Sequence, residues 1–390
     1  MSYDISYIGI YPISKPYHGG QRRVRALVDS LVESGMRVDY LPIFSSISYP
    51  EFDRGESEFA FGRELHTALL SDGRKQDLHA HSIFNLDPSY RRNLLARIRR
   101  CSPKIIIFEQ PWHAALLSDL KEDGLEGAKI VYSSQNVESQ LMATPADRRE
   151  AEKLERELVT AADLVVACTR RDADVYVKWG ARRVCVFGNG HIPRNASESL
   201  LRSWRHELQY QKIAIFTGSA HPPNAEGFFR MFLPAPGCIP PEAKLVVVGG
   251  VCDLINSSPL YSTNRSIFAE TTMLIGRQEE NALDALFGLA EVVVLPVTSG
   301  GGSNLKTAEA LLSLKPIVGT SKSFAGFEEY ASLPGINIAD DPAEFKQLIR
   351  NAILFGANGA RSFDDVRGLL WENILREYPS TINNLIFAQG

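Results

Sequence analysis

Short apolar runs alternate with longer polar stretches along nearly the whole chain. The runs at residues 5–10, 38–42, 105–108, 130–132, 164–167 and 184–187 are rich in Ile, Val and Leu and predict strands. Between them lie segments with apolar positions at helical spacing, such as residues 21–34. The rhythm pauses at Asn189-Gly190, Pro193 and the polar residues 195–199, then restarts with 213–217, 245–248, 273–275, 292–295 and 317–319. Strands that alternate with helices predict an α/β protein with parallel sheets covered on both faces. The pause predicts two doubly wound, Rossmann-like domains in tandem, over residues 1–192 and 193–363, facing a central cleft. Residues 363–378, with Val366, Leu369, Leu370, Ile374 and Leu375 apolar, predict an amphipathic helix. That helix, within about 364–390, is expected to pack back onto the first domain, with Trp371 at the crossing.

Residues 51–87 fit the rhythm poorly and read as an insertion or an irregular helix. They hold His66, His79 and His81. His79-x-His81 has no further ligand cluster beside it, so surface or hydrogen-bonded histidines are expected there and no metal site is assigned.

A length of 390 residues suits two domains better than one core. Hydrophobic residues make up 44% and charged residues 23%, as in ordinary globular proteins. A net charge of -4 argues against a dedicated nucleic-acid binder. The first residues lack the basic and apolar regions of a secretion signal, and no apolar run approaches the roughly 18 residues that span a bilayer. Cys101, Cys168, Cys185, Cys238 and Cys252 are odd in number and form no zinc-ligand spacing, so reduced core thiols in a cytoplasmic protein are expected.

The chemistry concentrates in residues 295–310, where an apolar strand runs into Ser299-Gly300-Gly301-Gly302-Ser303 and a helix opens near Asn304. Bare amides at a helix N-terminus attract anions. Lys306 and Glu309 follow at a spacing of three and share one helix face. A cation beside free amides suits a diphosphate, and a carboxylate one turn on suits ribose hydroxyls. A glycine-rich turn alone is equally a device for tight turning. This one lacks the GxxxxGK[ST] order of a P-loop.

Several segments, in order, resemble the GT-B glycosyltransferases, and among them the retaining family 4 group. His18-Gly19-Gly20-Gln21-Arg22 matches that family's first glycine turn. Ser134-Gln135-Asn136-Val137-Glu138 is similar to its HNVE segment, with Gln135 in place of histidine. Phe187-Gly188-Asn189-Gly190-His191 resembles its PNGVD turn. Phe216-Thr217-Gly218-Ser219 with Pro222-Pro223-Asn224, Gly276-Arg277-Gln278, and Lys315-Pro316-Ile317-Val318 resemble its C-terminal-domain motifs. Two departures stand out. The first of the family's two glutamates is replaced by Gly301, leaving Glu309 as the second. The Arg…Lys pair after the first C-terminal strand is absent, with Ser219 and Asn224 or Ala225 in its region.

The resemblance implies sugar transfer from a nucleotide-diphosphate donor of UDP, GDP or ADP type, with retention and without a metal or other cofactor. The donor is expected at Gly19, Gly20, Gly218, Ser219, His221, Asn224, Arg277, Gln278, Gly300, Gly301, Gly302, Ser303, Asn304, Lys306 and Glu309. His18, Gln21 and Glu138 are expected at the acceptor. His113, Glu109 and Lys306 are the candidates for catalysis, because Glu109 and His113 follow the 105–108 strand at its C-terminal edge. Glycan or lipid-linked acceptors in cell-surface glycan synthesis are the expected class. The basic stretch from Arg91 and Arg92 to Arg97, Arg99 and Arg100 suits peripheral contact with an anionic membrane, or simply a solvated helix face. Two alternatives stay open at this stage. One is another GT-B nucleotide-sugar enzyme such as an epimerase; the other is a non-catalytic nucleotide-binding scaffold.

Overall fold

A computed structural model describes residues 3–71, 76–122, 125, 127–301, 303–356 and 359–387. The chain divides into two compact units, Met1–Gly188 with Ile374–Gly390, and Asn189–Asn373.

The first unit is built on β1 (Ile5–Gly9), β2 (Val38–Pro42), β5 (Ile105–Glu109), β6 (Lys129–Ser133), β7 (Leu164–Ala167) and β8 (Val184–Val186), a parallel sheet in the order β2-β1-β5-β6-β7-β8. β1 and β5 are buried at every position, as expected of strands covered on both faces. They lie side by side with Ile5 opposite Ile105. The winding reverses between them, and ligands of such sheets gather beyond the strand ends at that point. Loops leading to Gly19 and to His113 leave from there.

Residues 44–86, which gave no clear strand signal, hold β3 (Phe44–Ser45) paired with β4 (Ala60–Phe61), then helices Arg63–Leu70 and Gln76–Leu86. His66 Nδ1 shares a 2.8 Å hydrogen bond with Ser45 Oγ, and His81 Nδ1 donates to the Trp112 carbonyl at 3.3 Å. The side chain of His79 lies outside the described residues. The basic stretch forms the helix Pro88–Cys101, but its arginines do not make one free face. Arg91 pairs with Asp119 at 2.6 Å and Arg97 with Asp39 at 2.8 Å, leaving Arg92, Arg99 and Arg100 exposed.

The second unit repeats the plan with β9 (Lys212–Thr217), β10 (Ala243–Val248), β11 (Thr272–Leu274), β12 (Ala290–Leu295), β13 (Ile317–Gly319) and β14 (Ile336–Ile338), ordered β11-β10-β9-β12-β13-β14. Alternate residues feed two cores. Phe216, Val247 and Val294 pack into one, while Ile215, Val246 and Val293 pack into the other. The reversal falls between β9 and β12, whose ends lead to Gly218 and to the Gly300 loop.

The expected helix at 363–378 is broken. Val366 and Leu369 enter the second unit's core beside Leu311 and Leu312, and the backbone at Leu370 is extended and bridges to His191. Residues 363–373 therefore belong to the second unit. There Trp371 lies against Gly190, where a Cβ would come within 3.1 Å of its ring. The chain rejoins the first unit as the helix Tyr378–Phe387, which packs on the helix Gly19–Glu33.

Candidate functional site

The helix Leu305–Leu312 carries both Lys306 and Glu309. Asn304 stands at its N-cap, where an Asn side chain normally accepts from the first-turn amides. Here it does not; its amide donates to the Lys322 carbonyl at 3.2 Å instead. The helix start is thus left without a side-chain cap, the condition under which an anion binds there. Ser303 Oγ beside it is buried with no hydrogen-bond partner among the described residues. Gly300 has φ +109°, a left-handed conformation that favours glycine. Gly301 is exposed, and Gly302 lies outside the described residues.

Lys306 Nζ donates to Asn224 Oδ1 and lies 5.9 Å from the centre of the Phe216 ring. Burial pushes the ammonium down to about 8. Asn224 Nδ2 donates in turn to the Ser219 carbonyl at 2.9 Å. Ser219, Asn224 and Lys306 are therefore brought together as one chain of contacts. His221 is exposed at the N-cap of the helix Pro222–Phe232, its N–H donating to the Ser219 carbonyl at 2.7 Å.

Glycines allow this arrangement. Gly218 N–H donates to the Val248 carbonyl at 2.9 Å, and Gly249 N–H to the Gly276 carbonyl at 2.7 Å. A Cβ on Gly249 would lie 2.3 Å from the Gly218 carbonyl oxygen, so backbone there approaches backbone. Gly227 lets the Pro222–Phe232 helix reach the loop after β12, since a Cβ would sit 1.9 Å from the Pro296 carbonyl oxygen. Arg277 is exposed beyond β11, while Gln278 turns back to the Ile275 carbonyl at 2.9 Å.

Glu309 is 6% exposed and faces Arg194, a residue that sequence reasoning missed. Arg194 Nη2 donates to Glu309 Oε1, while Nη1 lies 2.8 Å from both Glu280 Oε2 and Asp284 Oδ1. Thr217 Oγ1 donates to Glu309 Oε2 at 3.3 Å, and His191 Nε2 is 3.8 Å from Oε1. The one available signal was Glu280 and Asp284, four apart on one helix face, which call for a cation. At the far end of the Leu305–Leu312 helix, buried Arg361 donates to the carbonyls of Leu311 at 3.1 Å, Ala310 at 3.0 Å and Lys315 at 2.7 Å. It thereby serves the carbonyls that a helix end leaves unpaired.

In the first unit, His18 and Gln21 form a capping box at the start of Gly19–Glu33. His18 Nδ1 accepts from Gln21 N–H at 3.3 Å, and Gln21 Oε1 accepts from Tyr17 N–H at 3.1 Å. Gln21 is fully buried, and its Nε2 donates to the Pro12 carbonyl at 2.7 Å, so its amide serves the turn itself. Gly19 opens the helix. The space beside Gly20 is filled, since a Cβ would lie 2.7 Å from Gln135 Oε1 and 2.8 Å from the Tyr11 hydroxyl.

Glu109 is buried in a polar network. It accepts from Tyr7 Oη at 2.6 Å and from Gln135 Nε2 at 2.8 Å, and burial raises its pKa. His113 is 1% exposed against Phe84, with neither ring nitrogen hydrogen-bonded among the described residues. Burial drives its pKa down to about 3, so the ring is neutral. Glu138 is buried and accepts from Gln110 Nε2 at 3.2 Å and Asn136 Nδ2 at 3.1 Å. The structure thus brings together two groups. One is the capping turn with the Glu109 network; the other is the Ser219–Asn224–Lys306 chain with Glu309.

Two units with this winding, one after the other, are the plan of the GT-B fold. Residues 18–190 match the model of a glycosyl transferase 4-like domain. That match covers most of the first unit, and the fold of the chain is that of the GT-B structures it resembles. Sucrose-phosphate synthase from Thermosynechococcus elongatus superposes with a TM-score of 0.69 at 16% identity, covering 99% of each chain. HepE of Anabaena, in complex with UDP and glucose, gives 0.62 at 14% identity over 97% of this chain and 99% of that one. A UDP-forming trehalose-phosphate synthase from Burkholderia xenovorans, in complex with glucose-6-phosphate, gives 0.64 at 14% identity, over 98% and 100%. No protein of curated function matches the chain by sequence.

Proposed function

We propose that the protein moves a sugar from a nucleoside-diphosphate sugar to a glycan or lipid-linked acceptor, with retention and without a divalent metal, in building a cell-surface glycan. The carrying observation is the Leu305–Leu312 helix, which joins an uncapped N-terminus, Lys306 and Glu309 within one turn at the reversal of its sheet. In this reading the diphosphate takes the helix amides, Ser303 Oγ and Lys306 Nζ, and the ribose takes Glu309. In the transfer, the bond between the anomeric carbon and the phosphate oxygen breaks, and the acceptor oxygen bonds that carbon from the same face. The acceptor's proton passes to the departing phosphate. No protein nucleophile is needed on that route. Lys306 and the amides meet the charge that grows on the leaving oxygen, the largest contribution such a site makes.

UDP is the first donor nucleotide to try, because two of the similar structures hold or release it by name. Transfer assays with UDP-, GDP- and ADP-sugars should show turnover that survives chelation of divalent metal. Lys306→Ala is expected to lower kcat by about 100-fold or more, the scale of losing one stabilising group at a developing anion. Glu309→Ala is expected to raise donor KM by about 10-fold or more, a charge-assisted hydrogen bond being worth ~1.5–3 kcal/mol. Wild-type rates in either variant would refute the assignment.

A further inference from the structure

We propose that Arg194 is the positioning residue for Glu309, and that through it the protein distinguishes ribonucleotides from deoxyribonucleotides. The inference rests on Glu309 as the ribose acceptor and adds what holds that acceptor in place. Glu280 and Asp284 stand on one face of the helix Glu280–Leu289 and both hold Arg194 Nη1 at 2.8 Å. The guanidinium lies 5.2 Å from the centre of the Phe287 ring, on the same helix. Its fork is rigid and planar, so a hold on Nη1 and on one face fixes where Nη2 points. Nη2 points at Glu309 Oε1.

Other contacts on that carboxylate are weaker, Thr217 Oγ1 at 3.3 Å and His191 Nε2 at 3.8 Å. A ribose offers two neighbouring hydroxyl donors in a fixed geometry. A carboxylate meets both only when its plane is set beforehand; otherwise ordering it offsets the gain. Arg194 sets that plane. Three carboxylates around one guanidinium also leave the region net negative. An anionic diphosphate is repelled there and a neutral diol is not, so the nucleotide is aligned with its phosphates toward Lys306.

Titration calorimetry on the full chain tests this, using whichever of UDP, GDP and ADP binds the wild type best, against its 2′-deoxy counterpart. The wild type should prefer the ribonucleotide by about 10-fold or more, and Glu309→Gln should remove most of that preference. Arg194→Gln should reduce the preference at least about 5-fold by weakening the ribonucleotide while leaving the deoxyribonucleotide nearly unchanged. Arg194→Lys, which keeps the charge without the fork, should fall between, and its ratio decides the matter if Arg194→Gln does not fold. Arg361→Met serves as the structural control: it loosens the far end of the same helix and should shift both affinities alike. Arg194 variants that keep the wild-type ratio while Glu309→Gln loses it would overturn the inference and leave the ribose reading standing. A Glu309→Gln protein that keeps the ratio, or a wild type without one, would remove the ribose reading as well.

Discussion

Lys306 occupies the second position of its helix, where the peptide dipoles disfavour a cation unless an anion joins it. Burial opposes its charge as well, which is why its pKa falls to about 8. A residue placed against two local preferences marks a working position. The pH dependence follows from the sign. Below about 8 the ammonium is charged and, in the proposed role, holds the diphosphate; above it the group is neutral and that hold would weaken. Donor KM should therefore rise as pH increases through about 8, and Lys306→Arg, charged throughout, should flatten that rise in a steady-state pH profile. Lys306 and Glu309 were legible in the sequence because a spacing of three is enough to put them on one face. Arg194 was not. Its carboxylate partners lie 86, 90 and 115 positions away, a distance only the folded sheet can close.

At the scale of elements, legibility followed length and burial. β1, β5 and β12 are rich in Ile, Val and Leu and stood out. β3 and β4 have two residues each and β14 three, too short to show a period. The 363–378 run kept a helical spacing of apolar residues, yet Val366 and Leu369 answered to the second unit's core rather than to a single helix axis. Gly227 carries a prediction at this scale. Any side chain there would push the Pro222–Phe232 helix off the Pro296 carbonyl and take Asn224 with it. Gly227→Ala should cost ~1–3 kcal/mol by overpacking, read as a lower melting temperature, and should raise donor KM through the displaced Lys306 partner.

Across the whole molecule, alternating strands and helices and the pause near residue 190 carried the tandem α/β plan. Side-chain partners inside the first unit were not legible: Glu109, Gln21 and His113 are interior residues, and the first two are tied to Tyr7, Gln135 and the Pro12 carbonyl. Those interior groups make a prediction about stability. His113 falls from 6.5 to about 3 on folding, so the unfolded chain binds more protons between those values and stability drops as pH falls. At pH 5 this loss is ~2 kcal/mol. Glu155 accepts the N–H groups of Glu138 at 2.8 Å and Ser139 at 2.9 Å, and burial raises it from 4.5 to about 7. Its sign is opposite: the folded form holds the extra proton, so stability rises as pH falls from about 7 to 4.5. The two slopes offset between about pH 4.5 and 6.5. Denaturant titrations following the first unit should show a shallower dependence on pH there than either group would give alone. His113→Phe should tilt it so that stability declines with rising pH, and Glu155→Gln should tilt it the other way.

Arg361 gives the Leu305–Leu312 helix two unlike poles. Eight residues span about 12 Å, so a charge lodged at one tip is felt at the other. A guanidinium sunk among the closing carbonyls cancels the negative pole from within the protein, and the opening pole stays uncompensated. An anion arriving at the opening turn thus meets a positive pole that no longer has a negative one behind it.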